Sequence, residues 1–542
     1  MKKAYLKDLQ AQLLGSITDS QDVRDYFATD GSIFRLEPEA VMYPQNTADV
    51  RKAVTFLAAR AEAGKPLGIV ARGKGTDQGG AAVGEGLQMV FPAHMNKMLN
   101  LGKDSVTVQP GILYQSLQQT LRSHGRFLPP YPASIDYSTL GGAVANNAAG
   151  EKSVKYGTTR DFVRSLKVVL VDGSLIETRR LSARELNRRK GQANLEGEIY
   201  RRIDSLILDH EDIIAAHQPK TTKNTAGYAL GRVRGRDGSF DLSQLIVGSQ
   251  GTLGLVTEIT LRTVPWNPRA TLVVGFFDDL RRAAEAVGKL RGLGPSALEL
   301  VDHHLLEFVR RHRPQELEGL LPETMPKLVL LAEFDNASQF GQMVQTRRAQ
   351  RIMAKYATSH RLCADPIEQA SLWKLRRSAA AVMSLQNGAK KALPFIEDGI
   401  VPPAKLQQFL ERTYKLLEKH EVDIAIWGHA GDANLHLQPL LDLGKKRDVD
   451  KIFALTREFT HLVADLGGST SGEHGDGLIR APYLKDLYGA ELYELMCQVK
   501  DIFDPQGLFN PGKKVNVTEE QARAALRDEY HLAHLYDHLP HT

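Results

Sequence analysis

Close to Pro265 the hydrophobic rhythm of the chain changes, and with it the kind of domain that can form. Up to that point short apolar runs are broken by glycine-bearing turns, as in LGIVARGKGTDQGGA, VTVQPG, TLGGAVANNAAGEKSVKYG, LKVVLVDGS and SQLIVGSQGTLGLVTEITLRTVP. Such runs, closed by Gly, Pro and Asn clusters, read as strands and turns. From TLVVGFF onward strands alternate with longer helical patterns: DDLRRAAEAVGKLRGL, ALELVD, KLVLLAEF and SQFGQMVQTRRAQRIMAKYA. That interleaving is an α+β pattern. A chain of 542 residues is too long for one ordinary core, so the switch marks a domain boundary. The expected organisation is a helical segment at 1–35, a first domain at 36–265, a second at 266–515 and a helical tail at 516–542. A capping box, Thr518 to Gln521, opens the tail, and Thr47 is the expected N-cap of an early helix.

Charge and cysteine content remove several function classes. The net charge of +5 is small and is not gathered into a basic patch, so no nucleic-acid role follows and anionic small molecules or an acidic partner surface are favoured. The run from Arg179 to Lys190 reads as solvated, with docking of an acidic electron-transfer partner as its alternative. Cys363 and Cys497 are the only cysteines, which excludes a disulfide framework, a thiolate zinc site and an iron-sulfur ligand set in this chain. A reducing cytoplasm fits. No apolar run approaches the ~20 residues of a membrane span, and Asp8, Gln10 and Gln12 interrupt the N-terminal apolar pattern, so any contact with the inner face of a membrane is expected to be peripheral. His531, His534, His538 and His541 read as an exposed helical stripe rather than a second metal site.

Two kinds of segment carry chemistry. In ARGKGTDQGGAA, Gly73, Gly75, Gly79 and Gly80 let backbone N–H groups approach an anion and Thr76 adds a hydroxyl; a diphosphate is the natural guest. Taken alone, this turn lacks both the Walker and the GxGxxG spacing, and a plain loop is an equal reading. Gly141, Gly142, Asn146, Asn147 and Gly150 sit among small residues that admit a flat ligand. In the second half, WGHAGDANLH and SGEHGDG crowd histidines and carboxylates onto two turns. If a strand continues past the first, His436 and Gln438 share a face, and His429 and His436 converge on one cation to which Glu473 adds an oxygen. Two imidazoles and a carboxylate suit Zn(II) first, then Mn(II) or Fe(II). The plainer alternative is a pair of hydrogen-bonded turn histidines, but two matched knots favour a built site.

In order and spacing these motifs resemble one family from about Tyr26 to Lys513. RGKGT is similar to RGGGT, TLGGAVANNAAG with KYG to a second flavin segment, GSQGTLGLVTE to GSEGTLGIVTE, HAGDANLH to HxGDGNxH, SGEHGDG to SGEHGxG, SLWKLRR to a W-x-x-R element, and DPQGLFNPGK to DPxGxxNPGK. The family is the vanillyl-alcohol-oxidase type of flavoprotein and, within it, the FAD-linked D-2-hydroxy-acid dehydrogenases. The resemblance implies a two-subdomain PCMH-type FAD-binding domain followed by an α+β substrate domain with ferredoxin-like strand-helix alternation. It implies FAD contacts at Arg72, Gly73, Gly75, Thr76, Gly79, Gly80, Ser134, Asp136, Thr139, Gly141, Gly142, Asn146, Ala149, Gly150, Tyr156, Gly157, Gly251, Val256 and Asn510. No histidine lies in RGKGTDQGG or PYPASIDYSTLGG, so the FAD is expected to be non-covalent, and His94 reads as a surface residue.

By the same resemblance His429, His436 and Glu473 hold a divalent metal, His474 is the base and Arg376 clamps the substrate carboxylate. Arg377 is expected to point to solvent, Lys391 is a weaker anion-binding candidate, and Glu397 and Asp398 are left to loop structure or ligand orientation. Lys74 and Gln250 depart from the usual glycine and glutamate, and Ala433 from a usual glycine. The implied reaction is oxidation of a small anionic D-2-hydroxy acid to the 2-oxo acid with hydride passing to flavin N5. D-lactate is the first substrate, with D-2-hydroxyglutarate or glycolate as alternatives. Electrons would leave to a separate iron-sulfur protein, flavoprotein, quinone or cytochrome. The rival readings are an oxygen-using oxidase of the same fold and a non-catalytic flavin subunit.

Overall fold

The computed structural model describes residues 3–377 and 388–532. His534, His538 and His541 of the expected tail stripe lie outside the described residues. Among the described residues the first domain holds two larger sheets and a two-stranded pair, Arg126–Phe127 with Val264–Pro265. In one, strands Ser16–Thr18, Ala40–Tyr43, Leu87–Val90 and Ile69–Arg72 lie side by side in that order, the last three parallel to one another. The opening segment is therefore not only helical: its strand Ser16–Thr18 pairs antiparallel with Ala40–Tyr43. In the other sheet, Met98–Leu101, Ser105–Val108, Leu255–Arg262, Val163–Val169 and Leu175–Arg179 pair antiparallel throughout. Leu255–Arg262 alternates between core and half-exposed residues, as a strand with one covered face must. The helix Thr47–Glu62 is capped by Asn46, not Thr47, because Asn46 is the extended residue whose side chain accepts from the Asp49 N–H.

The second domain is one antiparallel sheet of eight strands. Its order is Ser359–Cys363, Thr271–Phe277, Leu328–Phe334, Ala297–Asp302, Ile424–His429, Asn434–Leu441 and Lys391–Ala392, with Gly399–Ile400 also pairing to Asn434–Leu441. Every residue of Ala297–Asp302, Leu328–Phe334 and Ile424–His429 is buried, so both faces of the middle of the sheet are covered. Lys391 lies in the terminal strand rather than on the substrate cavity.

The chain then returns. Helix Leu484–Phe503 leaves the second domain and places Leu484, Tyr488, Leu492, Val499 and Phe503 in the same core as Ile199, Tyr200 and Ile203 of the first. Phe509 makes a bridge to Ile69, and the capping box at Thr518 and Gln521 starts a short helix, Glu519–Ala524. The basic run is partly neutralised within its own domain: Arg179, Arg180, Arg189 and Lys190 pair with Glu185, Asp237, Glu196 and Asp204, while Arg184 and Arg188 are exposed. Among the described residues no helix is long and apolar enough to cross a membrane.

Candidate functional site

A cavity of about 660 Å³ lies between the two domains. Its first-domain wall includes Arg72, Gly73, Gly75, Thr76, Ser134, Asp136, Thr139, Gly141, Gly142, Asn146, Gly251 and Val256, and its second-domain wall includes Arg376, His436, Gln438, Glu473 and His474. The glycine turn has the character of an anion cradle: among the described residues nothing accepts a hydrogen bond from the N–H of Gly73, Lys74, Gly75 or Thr76, and Gly75 has φ +72°. Unpaired N–H groups turned to one side of a loop suit a diphosphate. Arg72 lines the cavity, and its guanidinium also donates to the carbonyls of Phe27, Thr29 and Ala82, bracing the turn.

The remaining expected flavin residues stand off the cavity wall. Gly79 backs onto Gly477, where a Cβ would lie 2.0 Å from the Gly79 carbonyl oxygen, and Gly80 packs on Phe34. Ala149 is fully buried, Gly150 abuts the Tyr131 carbonyl and Gly157, at φ +85°, abuts Asp161. Tyr156 donates its hydroxyl to Asp335 of the second domain at 3.0 Å. Asn510 donates to the carbonyls of Ala81 and Gln250, tying the cavity wall together. His94 is exposed.

The two histidine knots meet at one oxygen. Strand Ile424–His429 ends in His429, the next strand carries His436 opposite Trp427, and the loop Ser471–Gly477 brings Glu473 and His474. Nε2 of His429, His436 and His474 lie 3.1, 3.3 and 3.6 Å from Glu473 Oε1. Asp398 fixes that loop, its Oδ2 accepting from Ser471 Oγ at 2.6 Å, Glu473 N at 2.9 Å and His474 N at 2.7 Å. Behind each imidazole stands a carboxylate: Glu299 Oε1 is 2.9 Å from His429 Nδ1, and Glu397 Oε2 is 2.6 Å from His474 Nδ1 and 3.5 Å from His436 Nδ1. Imidazoles with a carboxylate close to each Nδ1, hydrogen-bonded at His429, and with Nε2 turned to a shared oxygen are the donor set of a divalent-cation site. A four-membered set, Asp398, His436, Glu473 and His474, also offers ligand atoms within 4.8 Å of one another.

Electrostatics follow from this crowding. Burial acts to raise Glu473, but Lys223, whose Nζ donates to Oε2 at 2.6 Å, and His429 hold it well below the usual carboxylate range. Burial acts to lower His429, yet Glu299 and Glu473 raise it. His474 is pushed up to about 10, burial being overridden by Glu397 and then Asp398.

Arg376, on helix Pro366–Arg377, is buried at the cavity wall with Nη2 2.7 Å from Glu299 Oε2. Its neighbour is only partly solvated: Arg377 Nε donates to Glu151 Oε2 at 2.9 Å and lies over Trp373, with 39% of its side chain exposed. Sequence reasoning missed Glu299 and Lys223. The only trace of Glu299 is a charged residue inside the otherwise apolar run ALELV; Lys223 leaves none. Gln250 also proves central, accepting from Gly477 N at 2.9 Å while its amide N–H donates to Asn146 Oδ1 at 3.1 Å.

Comparison with known proteins agrees with this architecture. Residues 38–179 match the family model described as an FAD binding domain, and residues 267–514 the one described as the C-terminal domain of FAD linked oxidases. The chain is 30% identical to a D-2-hydroxyglutarate dehydrogenase of Pantoea ananatis, over 94% of this chain and 51% of that protein. It is 28% identical to glycolate oxidase subunit GlcD of Bacillus subtilis, covering 94% of this chain and 96% of that one, and 29% identical to a D-lactate dehydrogenase of Archaeoglobus fulgidus, covering 88% and 91%. It spans about half the length of the D-2-hydroxyglutarate dehydrogenases it matches. Its fold is similar to those of an alkyldihydroxyacetonephosphate synthase, with TM-score 0.65 at 16% identity over 95% of this chain and 86% of that one, and of 4-ethylphenol oxidase from Gulosibacter chungangensis, with TM-score 0.66 at 16% identity over 95% and 97%.

Proposed function

Because the chain belongs to the FAD-linked oxidases, joining their FAD binding domain to their C-terminal domain, we propose that it oxidises a D-2-hydroxy acid to the 2-oxo acid. The observation that carries this reading is the convergence of His429, His436 and His474 on Glu473 at the rim of the cavity that also holds the glycine turn. His429, His436 and Glu473 would hold a divalent cation, zinc in the first place, and Gly73 to Thr76 with Gly141, Gly142 and Asn146 would receive non-covalent FAD. When bound, the cation would supply Lewis acidity toward the substrate hydroxyl and the flavin would supply the hydride acceptor.

The chain's own residues do the rest. Arg376 presents a permanent charge to the substrate carboxylate, with Glu299 Oε2 2.7 Å from its Nη2 as the resident counter-charge. His474 takes the hydroxyl proton at Nε2 while Glu397 faces the Nδ1 side and stabilises the imidazolium that results. In the metal-free site His474, pushed up to about 10 chiefly by Glu397, keeps its proton at neutral pH, so it must give that proton up before it can act as the base.

For the substrate, D-lactate is the first choice; D-2-hydroxyglutarate is the second reading, favoured by the names of the relatives at 30% identity. Electrons then pass to a separate acceptor such as an iron-sulfur protein, flavoprotein, quinone or cytochrome. The test is anaerobic stopped-flow absorbance of zinc- and FAD-loaded protein mixed with D-lactate, D-2-hydroxyglutarate, glycolate and the available L-enantiomers. Bleaching of the flavin band by one D-acid, abolished by chelation, is expected; absence of bleaching with every acid overturns the proposal.

A further inference from the structure

We propose that Glu299 is a positioning residue that sets the tautomer of His429 and, with the same carboxylate, holds Arg376, so that cation site and carboxylate clamp share one reference point. The inference rests on the reading of His429, His436 and Glu473 as cation ligands. Glu299 lies in the middle of strand Ala297–Asp302, opposite Leu331 and completely buried. Oε1 is 2.9 Å from His429 Nδ1 and Oε2 is 2.7 Å from Arg376 Nη2.

A carboxylate has acceptors only, and guanidinium has donors only. His429 must therefore donate from Nδ1, and in the metal-free site Nε2 donates to Glu473 Oε1 at 3.1 Å as well; a cation that displaces the Nε2 proton then finds the electron pair there, while Glu299 keeps the remaining proton on Nδ1. An amide at position 299 cannot satisfy both neighbours in the same way. Its oxygen must serve Arg376, its NH₂ then turns to Nδ1, and the ring proton moves to Nε2, where it blocks the ligand position.

The experiment is zinc competition against a chromophoric chelator, read on purified, FAD-loaded protein. Glu299→Gln should weaken zinc binding at least about 30-fold, within the range seen when such outer partners are lost. Arg376→Met removes the other partner only and should leave zinc affinity within about threefold. A Glu299→Gln protein with wild-type affinity, or an Arg376→Met protein that loses as much, overturns the proposal. Should Glu299→Gln not fold, the isosteric pair Glu299→Asp and Glu299→Asn decides: the carboxylate should retain at least tenfold more affinity than the amide, and equal affinities overturn it. Failure of the wild-type chain to bind zinc or manganese would instead remove the cation reading itself.

Discussion

His474 sits between Glu397 at Nδ1 and Glu473 at Nε2, and its replacement is the simplest residue-level experiment. His474→Ala removes the proton acceptor without touching the glycine turn. Flavin reduction should slow by about 10²–10⁴-fold while the bound-flavin absorbance spectrum stays unchanged; both are read in one stopped-flow series. The thiols should be silent. Burial pushes Cys363 up to about 12 and raises Cys497 as well, so neither should be alkylated by iodoacetamide in the folded protein at pH 8, and mass spectrometry should find both modified only after denaturation. Residues such as His429, His436, Glu473 and Gly75 were legible because their motifs are local: a few positions on one turn imply one another. Glu299 and Lys223 were not, since each reaches the site through space from a strand or loop remote in sequence, and a lone carboxylate or lysine has no spacing to betray it.

At the scale of elements, the short helix Ser153–Tyr156 and the two residues before it act as a seam between domains. Glu151 pairs with Arg377, Lys152 with Glu333, Ser153 Oγ donates to Asp432 at 2.6 Å, and Lys155 and Tyr156 both reach Asp335. Tyr156 was expected at the flavin because its motif stands next to flavin segments; the preceding turn carries it past the cavity to the other domain. Arg377 was expected in solvent because helix geometry turns it away from Arg376, and sequence alone does not reveal that Glu151 covers the other side. Removing one partner of a fully buried pair costs ~3–5 kcal/mol; Arg377 keeps 39% of its side chain exposed, so Glu151→Gln should cost only about 1–3 kcal/mol in denaturant unfolding. Although burial acts to raise it, Glu151 is lowered to about 2 by Arg377. A depressed carboxylate contributes stability above its unfolded value near ~4.3 and loses it as pH falls toward its folded value. The stability difference between wild type and Glu151→Gln should therefore be full at pH 6 and shrink steadily between pH 4.5 and 2.

Over the whole molecule, the change from a turn-rich first half to a strand-helix second half was visible in the pattern; strand Val264–Pro265, next to that change, pairs with Arg126–Phe127. The return of Leu484–Phe503 into the first domain was not visible, because an amphipathic helix shows that it has an apolar face and not which core receives it. Deleting residues 481–542 should thus damage the domain that is distant in sequence: the shortened chain should bind no FAD and should expose its interior to ANS, whereas a chain in which the helix served only the second domain would keep a flavin spectrum.

That returning helix also has a consequence in time. The ribosome finishes residues 199–203, which need Leu484, Leu492 and Phe503 as neighbours, well before it makes those partners; at ~5–20 residues per second the interval is on the order of half a minute. Throughout it the nascent first domain carries an open apolar groove, so its safe passage depends on whatever shields that groove until the last turns of the helix emerge and shut it.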